Sequence, residues 1–364
     1  MQRRDIVVIG GSAGSFKPLK EIVSGLPRDF PGTLFVVVHL PPDFPSFLDQ
    51  QISQWGPLPA TQAVDGDPVR AGHIYTACPD HHLTIERGRV RVLRGPRENR
   101  HRPAIDPLFR TAARAYGPRV VGIILSGMHD DGSAGMYAVK QLGGLAIVQD
   151  PTEAKFEEMP RSALEYANPQ YVLRARDIAP LLVQLVQSSL NEAAMAHVSS
   201  GRQTGRKHPQ QAKKSGGRNG SKSELEQDEV EQNMEVAYSE EGAGKPSVFA
   251  CPECHGVLWE LKEKKLTRYR CRVGHSYTTE SLGQELSQSS ETALWAAVRA
   301  LEEKAAMQRR IADSLSSERG TARRLRDQST ADDANARVVR DMIFQRDAEL
   351  EAEKRSPKAH SKVA

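Results

Sequence analysis

The stretch IVVIGGSAGS, residues 6–15, decides the fold. Four apolar residues run directly into a glycine-rich turn that has Ser12 at its centre. A short run of this kind is typical of a strand that is buried on both faces of a sheet. A dinucleotide fingerprint would need glycine in place of Ser12, and a Walker phosphate loop would need a Gly-Lys-Ser/Thr that does not follow. The turn instead matches G-x-S-x-G, which presents a serine hydroxyl above the edge of a sheet.

Further apolar runs predict more buried strands at residues 34–38, 120–125 and 145–148. Helical patterns over 107–116 and 133–142 lie next to these runs. The alternation of strand and helix predicts an α/β fold with a doubly wound, mostly parallel sheet. Residues 72–93 contain strand-like runs broken by turn residues, and we expect them to form a β-hairpin appendage.

Changes in composition divide the chain into four parts. Residues 1–190 are predicted to form the α/β domain, and 246–280 a compact Cys/His module. Between them, residues 191–245 carry a basic block and then an acidic block, which predicts a charged disordered linker. Apolar residues recur at helical spacing over 281–355, which predicts a helical hairpin or coiled-coil pair with a break near Gly320.

The overall composition narrows the function classes. The chain has 364 residues and a formal net charge of only +4, so nucleic acid is not an expected partner. No segment approaches the roughly 18 consecutive apolar residues of a membrane helix, and the N-terminal apolar run is too short for a signal peptide. We therefore expect a soluble, cytoplasmic protein without membrane insertion.

A base and an orienting acid for Ser12 stand at the ends of two other predicted strands. The second apolar run ends at His39, and the third is followed by Asp130 and Asp131. Because parallel strands end at one edge of a sheet, we expect a serine, a histidine and an aspartate to meet there as an acyl-transfer triad. An alternative role for one of the two aspartates is to cap the helix that begins near Ser133.

These motifs, taken together, resemble the catalytic domain of the chemotaxis protein-glutamate methylesterases, the CheB family, over residues 5 to about 187. By motif, the resemblance implies that Ser12 is the nucleophile, His39 the general base and Asp131 the orienting aspartate, with Asp130 outside the triad. The motifs that carry the resemblance are IGGSAGS, VVVHLPPDF, DGDPVRAGHIYTACPDHHL, NRHRPAIDPLF, GIILSGMHDDGSAGMYAVKQLGG and VQDPTEAKFEEMPRSA.

The resemblance also implies an activity. The family hydrolyses γ-glutamyl methyl esters on receptor helices, releases methanol, needs no cofactor for catalysis and can deamidate certain glutamines. Backbone amides at Ala13 and Met128 are the expected oxyanion donors. The expected partners are a methylated receptor, or another signalling protein, and a cognate protein methyltransferase.

Three features depart from the family pattern. Ala13 stands where the family usually has threonine, and His129 where it commonly has glycine. No receiver domain precedes the catalytic motifs, so we expect that regulation does not proceed through receiver phosphorylation. The loss of the threonine is expected to weaken or retune the activity.

The segment RENRHRPAID supplies polar groups close to the expected site. Arg97, Asn99, Arg100 and Arg102 are predicted to hold the acidic surroundings of a methylated glutamate. The alternative is that they belong to a solvated loop.

A second constellation near the C-terminus has metal-ligand spacing. Cys251 and Cys254 form a C-x-x-C pair, and Cys271 is followed by His275. Thiolates and imidazole suit tetrahedral zinc, so we predict a structural zinc ion, with His255 as a competing ligand. The module is expected to bind a partner protein or to fold back as a lid.

Two other functions stay open from the residues alone. One is a different serine esterase, such as a patatin-like dyad that uses Ser12 and Asp131 without His39. The other is a non-catalytic signalling scaffold that binds a partner through its C-terminal module.

Overall fold

The computed structural model of the protein describes residues 4–40, 45–200, 244–263, 266–315 and 319–355. The chain divides into two compact units, Met1–Leu282 and Gly283–Ala364. Within the described ranges, no helix combines the length and apolar character that a membrane crossing needs.

The first unit is built on a seven-stranded sheet whose strand order is β3-β4-β2-β1-β7-β8-β9. Each of its strand pairings is parallel, so the doubly wound α/β prediction is confirmed. Its strands are β1 (Ile6–Gly11), β2 (Thr33–Val38), β3 (Ala60–Gln62), β4 (Ile74–Thr76), β7 (Val120–Ile124), β8 (Leu145–Gln149) and β9 (Tyr171–Leu173). The helices are α1 (Phe16–Ser24), α2 (Leu48–Trp55), α3 (Ile105–Tyr116), α4 (Ser133–Gln141), α5 (Glu158–Ala167) and α6 (Ala175–Ser200).

The core occupies both faces of this sheet. On β1, Ile6 and Val8 belong to one buried apolar cluster, whereas Val7 and Ile9 belong to a second. Because successive side chains of a strand point to opposite faces, one strand supplies both clusters. Burial on both faces explains why the central strands read as continuous apolar runs.

The expected hairpin appendage is smaller than predicted. Within residues 72–93, β4 pairs with β2 in the main sheet, and only β5 (His82–Glu86) and β6 (Arg89–Leu93) form an antiparallel hairpin. The prediction was wrong for β4 because a three-residue strand is too short for its pattern to show which sheet it joins.

Helix α6 runs to Ser200 and therefore extends past residue 191, where the linker was predicted to begin. Residues 201–243 lie outside the described residues, and the predicted disorder falls mostly on them. The chain is described again from Gly244, just before β10.

The Cys/His module is a four-stranded antiparallel sheet of order β10-β11-β12-β13. Its strands are β10 (Lys245–Ala250), β11 (Val257–Glu263), β12 (Leu266–Cys271) and β13 (Ser276–Thr278). Helix α7 (Thr279–Ser314) follows β13 directly, and α8 is Arg319–Arg355.

Ion pairs between α7 and α8 show that these helices run antiparallel. Glu291 near the start of α7 pairs with Arg346, whereas Asp313 at its end pairs with Arg326. The two helices therefore lie side by side in opposite directions. The break lies before Arg319, so Gly320 belongs to the first turn of α8 and does not end α7.

Candidate active site

Ser12 follows β1 directly and is fixed by the end of a neighbouring strand. Its amide donates to the carbonyl oxygen of Ser126 at 3.0 Å, and its own carbonyl accepts from Ser15 Oγ at 2.7 Å. Gly14 adopts a φ of +78°, and a Cβ there would come within 2.8 Å of Ser126 Oγ. The turn therefore needs glycine at this position.

His39 stands at the end of β2, where its amide donates to the carbonyl oxygen of Gly11 at 3.2 Å. Its Nδ1 lies 3.1 Å from Ser12 Oγ, and its Nε2 lies 2.8 Å from Asp131 Oδ2. A proton on Nε2 donates to the carboxylate and leaves Nδ1 free to accept from the serine hydroxyl. The patatin-like alternative requires Asp131 to act on Ser12 without His39, but the imidazole lies between them.

The Asp131 side chain is only 2% exposed, and the His39 side chain 7%. Besides His39, the carboxylate accepts from the Ile105 amide at 2.7 Å, Asn99 Nδ2 at 2.9 Å and the Asp106 amide at 3.3 Å. Burial alone would raise the pKa of Asp131, but the hydrogen bond and charge of His39, with the Ile105 amide, hold that pKa below its usual range. The carboxylate therefore stays ionised beside the imidazole.

Two backbone amides beside the hydroxyl remain available. Within the described ranges, neither the Ala13 nor the Met128 amide donates to a protein acceptor. A Cβ at Gly127 would come within 2.9 Å of Ser12 Cβ, so this glycine lets the loop after β7 approach Ser12. Free amides next to a nucleophile are what a developing oxyanion requires.

A second histidine, from the RENRHRPAID segment that was expected to contact substrate, lies against His39 instead. The rings of His39 and His101 stack with centroids 3.6 Å apart and an interplanar angle of 14°. Burial, followed by the neighbouring His39, lowers the pKa of His101 to about 3. A neutral ring therefore covers one face of the catalytic imidazole. Its position in the motif NRHRPAID was the only signal in the sequence.

The polar residues expected to contact substrate divide into two pairs. Asn99 is buried and donates to Asp131 and Asp106, and Arg102 donates to Asp80 and to the Gly95 carbonyl. Their polar groups are thus engaged within the chain.

Arg97 and Arg100 form the other pair, which fits the predicted contact with substrate better. Arg97 is exposed. Arg100 carries a charge that acts on His101 and His129, which lie beside the triad. Substrate contact stays a prediction for all four residues.

Asp130, the neighbour of the triad aspartate, has a different environment. It is buried, its Oδ1 has no partner within the described part of the chain, and burial raises its pKa to about 7 despite a hydrogen bond with Thr278. The N-cap of α4 is Gly132, and the first-turn amide of Gly135 donates to Asp106 Oδ1 at 2.6 Å, not to Asp130 or Asp131. The helix-cap alternative for the aspartates is therefore wrong.

The backbone conformation at His129 accounts for the glycine that the family commonly has at this position. It adopts a φ of +68°, a left-handed conformation that glycine accommodates most easily. Its amide donates to Glu158 Oε2 at 2.8 Å, which helps to hold the turn.

The four predicted metal ligands converge in the Cys/His module. Their ligand atoms, from Cys251, Cys254, Cys271 and His275, all lie within 4.8 Å of one another. Two backbone turns bring them together: the His255 amide donates to Cys251, and the Cys271 amide donates to His275. His255 is not a member of the cluster.

The donor set fits a tetrahedral metal ion. Cys254 Sγ lies 3.5 Å from Cys271 Sγ, and His275 Nδ1 lies 3.4 Å from Cys271 Sγ. Tetrahedral bonds of the length zinc makes to sulfur and nitrogen separate such ligands by about 3.6 Å. The other ring nitrogen, Nε2, lies 3.2 Å from Glu253 Oε2, a second contact that orients metal-binding histidines. The cluster can therefore hold a metal ion.

Several known proteins resemble the N-terminal half of the chain. Residues 7–182 match the family model described as CheB methylesterase. A putative protein-glutamate methylesterase/protein-glutamine glutaminase of Leptospira interrogans is 35% identical over 189 residues, which are 52% of this chain and 98% of that protein. Protein-glutamate methylesterase/protein-glutamine glutaminase 1 of Rhodospirillum rubrum is 37% identical over 50% of this chain and 49% of its own length.

Among solved structures, the CheB methylesterase catalytic domain of Thermotoga maritima is 35% identical, with a TM-score of 0.48. It is matched over 51% of this chain and 100% of that one. The resemblance predicted from the motifs is confirmed by the family model and by the relatives. The chain belongs to the CheB methylesterase family, a family of carboxylic ester hydrolases.

Proposed function

We propose that the protein hydrolyses γ-glutamyl methyl esters on a signalling receptor, with Ser12, His39 and Asp131 as its catalytic triad. The observation that carries the proposal is the position of the His39 imidazole, 3.1 Å from the Ser12 hydroxyl and 2.8 Å from the Asp131 carboxylate. Membership of the CheB methylesterase family supports the choice of ester.

In the first half-reaction, His39 Nδ1 takes the proton of Ser12 as Oγ attacks the ester carbonyl. Asp131 stabilises the imidazolium that forms. The amides of Ala13 and Met128 donate to the oxyanion, and each such donor contributes about 3 to 4 kcal/mol in comparable sites. Collapse of the intermediate breaks the carbon–oxygen bond to the methoxy group, which takes the proton from His39 and leaves as methanol.

In the second half-reaction, water attacks the glutamyl ester on Ser12. His39 takes a proton from the water and returns it to Ser12, so that a free glutamate side chain is released. No step uses a cofactor. Deamidation of glutamine would follow the same steps with ammonia as the leaving group, in line with the glutaminase activity in the relatives' names.

The substrate is a side chain of another protein, a chemoreceptor or a component of a similar sensory pathway. Arg97 and Arg100 are the cations placed to attract the acidic surroundings of a methylated glutamate. A protein methyltransferase that forms the ester would be the second partner.

The cluster of Cys251, Cys254, Cys271 and His275 holds a structural zinc ion in this proposal. Four protein ligands leave no open position, so the ion would contribute folding energy and no chemistry. None of the four cysteines forms a disulfide, which supports a reducing compartment such as the cytoplasm.

Methanol release from a methyl-esterified receptor fragment tests the activity. The wild-type chain should release methanol, Ser12→Ala should not, and Ser24→Ala, an exposed serine on α1, should match wild type. Full activity of His39→Ala would favour the dyad. If the wild-type chain releases no methanol, the esterase proposal is wrong and the non-catalytic scaffold becomes the better account.

A further inference from the structure

The loop formed by residues 97–101, the Asn99 loop, lies between the triad aspartate and the Cys/His module within the first compact unit. Its backbone pairs with β13: the Asn99 amide donates to the Ser276 carbonyl at 2.9 Å, and Glu98 forms a parallel bridge with Ser276. The module therefore continues its sheet into the loop that touches the triad.

A buried charge cluster reinforces this pairing. The Glu98 carboxylate accepts from Arg110 of α3 at 2.7 Å and lies 3.5 Å from Arg268 of the module. Burial would raise the pKa of Glu98, but Arg110, Arg268 and Arg270 together lower it to about 2. An ionised carboxylate thus joins the catalytic domain to the module.

The Asn99 side chain makes the link to the triad. Its Nδ2 donates to Asp131 Oδ1 and to Asp106 Oδ2, each at 2.9 Å. Its Oδ1 accepts from the Thr278 amide at 3.2 Å and from Ser281 Oγ at 3.3 Å. One carboxamide therefore has two carboxyl groups on one side and the module on the other.

Only one orientation of this carboxamide satisfies both sides. The Thr278 amide can donate but not accept, and the ionised Asp131 can accept but not donate. A flipped carboxamide would turn its oxygen toward Asp131 and its NH₂ toward another donor. The module thus selects the orientation in which Asn99 donates to the catalytic carboxylate.

We propose that the Cys/His module positions the catalytic triad: Thr278 and Ser281 hold the Asn99 carboxamide, which holds Asp131, so that metal occupancy controls the reactivity of Ser12. Asn99 is then a positioning residue. The role rests on the proposed function, because Ser12 must be the nucleophile.

Metal occupancy matters because the contact segment begins at a ligand. β13 starts at Ser276, directly after His275, and reaches Thr278 within three residues. Thr278 and Ser281 also bond to each other, where the Ser281 amide donates to Thr278 Oγ1 at 3.1 Å. Without a metal ion to fix His275, residues 276–278 are no longer held in place at their N-terminal end.

The rate at which a fluorophosphonate probe labels Ser12, measured against pH, reports on triad reactivity without a physiological substrate. Asn99→Gly is the informative variant, because Asn99 has a φ of +48° that glycine tolerates. Loss of a hydrogen bond to a charged group should slow labelling about 10- to 100-fold. Asn99→Asp should be slowed at least as much, because it sets a third carboxylate against Asp131 and Asp106.

The pH profile separates positioning from a loss of folded protein. With fewer hydrogen-bond donors, the Asp131 carboxylate stabilises the imidazolium of His39 more strongly. The acid limb of the profile of labelling rate against pH should therefore move to higher pH. A smaller folded fraction would lower the rate without moving the limb. The other titratable or charged groups facing His39 are His101, His129 and Arg100, and no variant alters them.

Adjacent residues of the module supply the metal test. Cys254→Ser should lose metal, slow labelling and shift the limb as Asn99→Gly does, whereas His255→Asn should retain metal and match wild type. Hydrogen exchange gives a readout apart from activity: the Asn99 amide should exchange faster after chelation. Ser281→Ala should give a smaller effect than Asn99→Gly, and Ser287→Ala, an exposed serine bonded to its own helix, should give none.

Wild-type rates and an unshifted limb in Asn99→Gly and Cys254→Ser would overturn the positioning role while Ser12 remains the labelled residue. The role would also be overturned by unchanged exchange at Asn99 after metal removal. If wild type and Ser12→Ala are labelled alike, the proposed function fails, and the positioning role falls with it.

Discussion

The catalytic domain and the Cys/His module are stabilised in different ways. The sheet of the catalytic domain is covered by apolar side chains on both faces, and its central strands are fully buried. The module has a sheet of four strands, but most of β10 is exposed. The buried apolar residues that the structure describes in the module are Leu258, Leu266, Tyr269, Tyr277 and Leu282.

This difference indicates which part of the chain can fold without a bound ligand. A core of aliphatic side chains on both faces supplies the catalytic domain with stability that depends on no ligand. A unit as small as the module buries too little apolar surface and needs a metal ion or another staple. The candidate active site therefore lies in the self-sufficient part, beside a part whose folding we expect to depend on a bound metal ion.

Metal removal should give the largest difference in stability between the two regions. Chelation should unfold the module, because structural zinc sites contribute about 10 kcal/mol or more to folding, whereas the main sheet should stay folded. Hydrogen exchange followed by mass spectrometry should show lost protection in β11 and β12 and retained protection in β1 and β7. Equal loss in both regions would show that the module is not an independent folding element.

Asp131→Asn should give the next largest effect and should act mainly on activity, with some loss of stability because the new NH₂ group faces backbone or side-chain donors that now bond to the carboxylate. An asparagine cannot stabilise the imidazolium, and the same change in a serine protease triad lowers kcat about 10⁴-fold. Methanol release measures the loss, and a thermal unfolding curve checks that the fold is kept. The neighbouring Asp130→Asn is the matched control, with a rate close to wild type. Similar losses in both variants would remove the distinction between these two aspartates.

Truncation of a buried side chain in the catalytic domain should lower the free energy of unfolding far more than truncation of an exposed side chain in the module. Ile147 on β8 is fully buried, so Ile147→Ala should lower the free energy of unfolding by about 2 to 5 kcal/mol. Val248 on β10 is 95% exposed, and Val248→Ala should change it by less than about 0.5 kcal/mol. Denaturant unfolding measures both, and comparable values would contradict the contrast between the two regions.

The smallest effect concerns pH. The pKa of Asp130 is raised to about 7 by burial, so the folded protein binds more protons than the unfolded chain between pH ~4 and 7. Stability should therefore fall as the pH rises through this window. Asp130→Asn should remove that part of the slope and raise the free energy of unfolding above pH 7, where the wild-type carboxylate is ionised. A stability profile identical to wild type would show that Asp130 titrates normally.

The sequence analysis predicted the features that local pattern determines. The parallel sheet follows from apolar runs such as residues 6–9, and the meeting of Ser12, His39 and Asp131 follows from their places at the ends of parallel strands. The convergence of Cys251, Cys254, Cys271 and His275 follows from their spacing in the sequence. Each of these depends on neighbours in sequence or on a general rule of sheet topology.

What the sequence did not reveal depends on contacts between distant segments. Asn99 was expected to face substrate, but it lies between Asp131 and a module strand 179 residues away along the chain. The stack of His101 on His39 likewise joins two loops. No periodicity or spacing encodes such pairs, because they arise only when distant segments of the chain pack together.

The location of the covalent intermediate tests the central claim most directly. Reaction of the full chain with a methyl-esterified glutamyl peptide, quenched in acid and digested with trypsin, should yield a glutamyl ester on the peptide that covers residues 5–20, at Ser12. His39→Ala should abolish that adduct. An acyl group on another residue, or methanol release with undiminished rate in Ser12→Ala, would contradict the account.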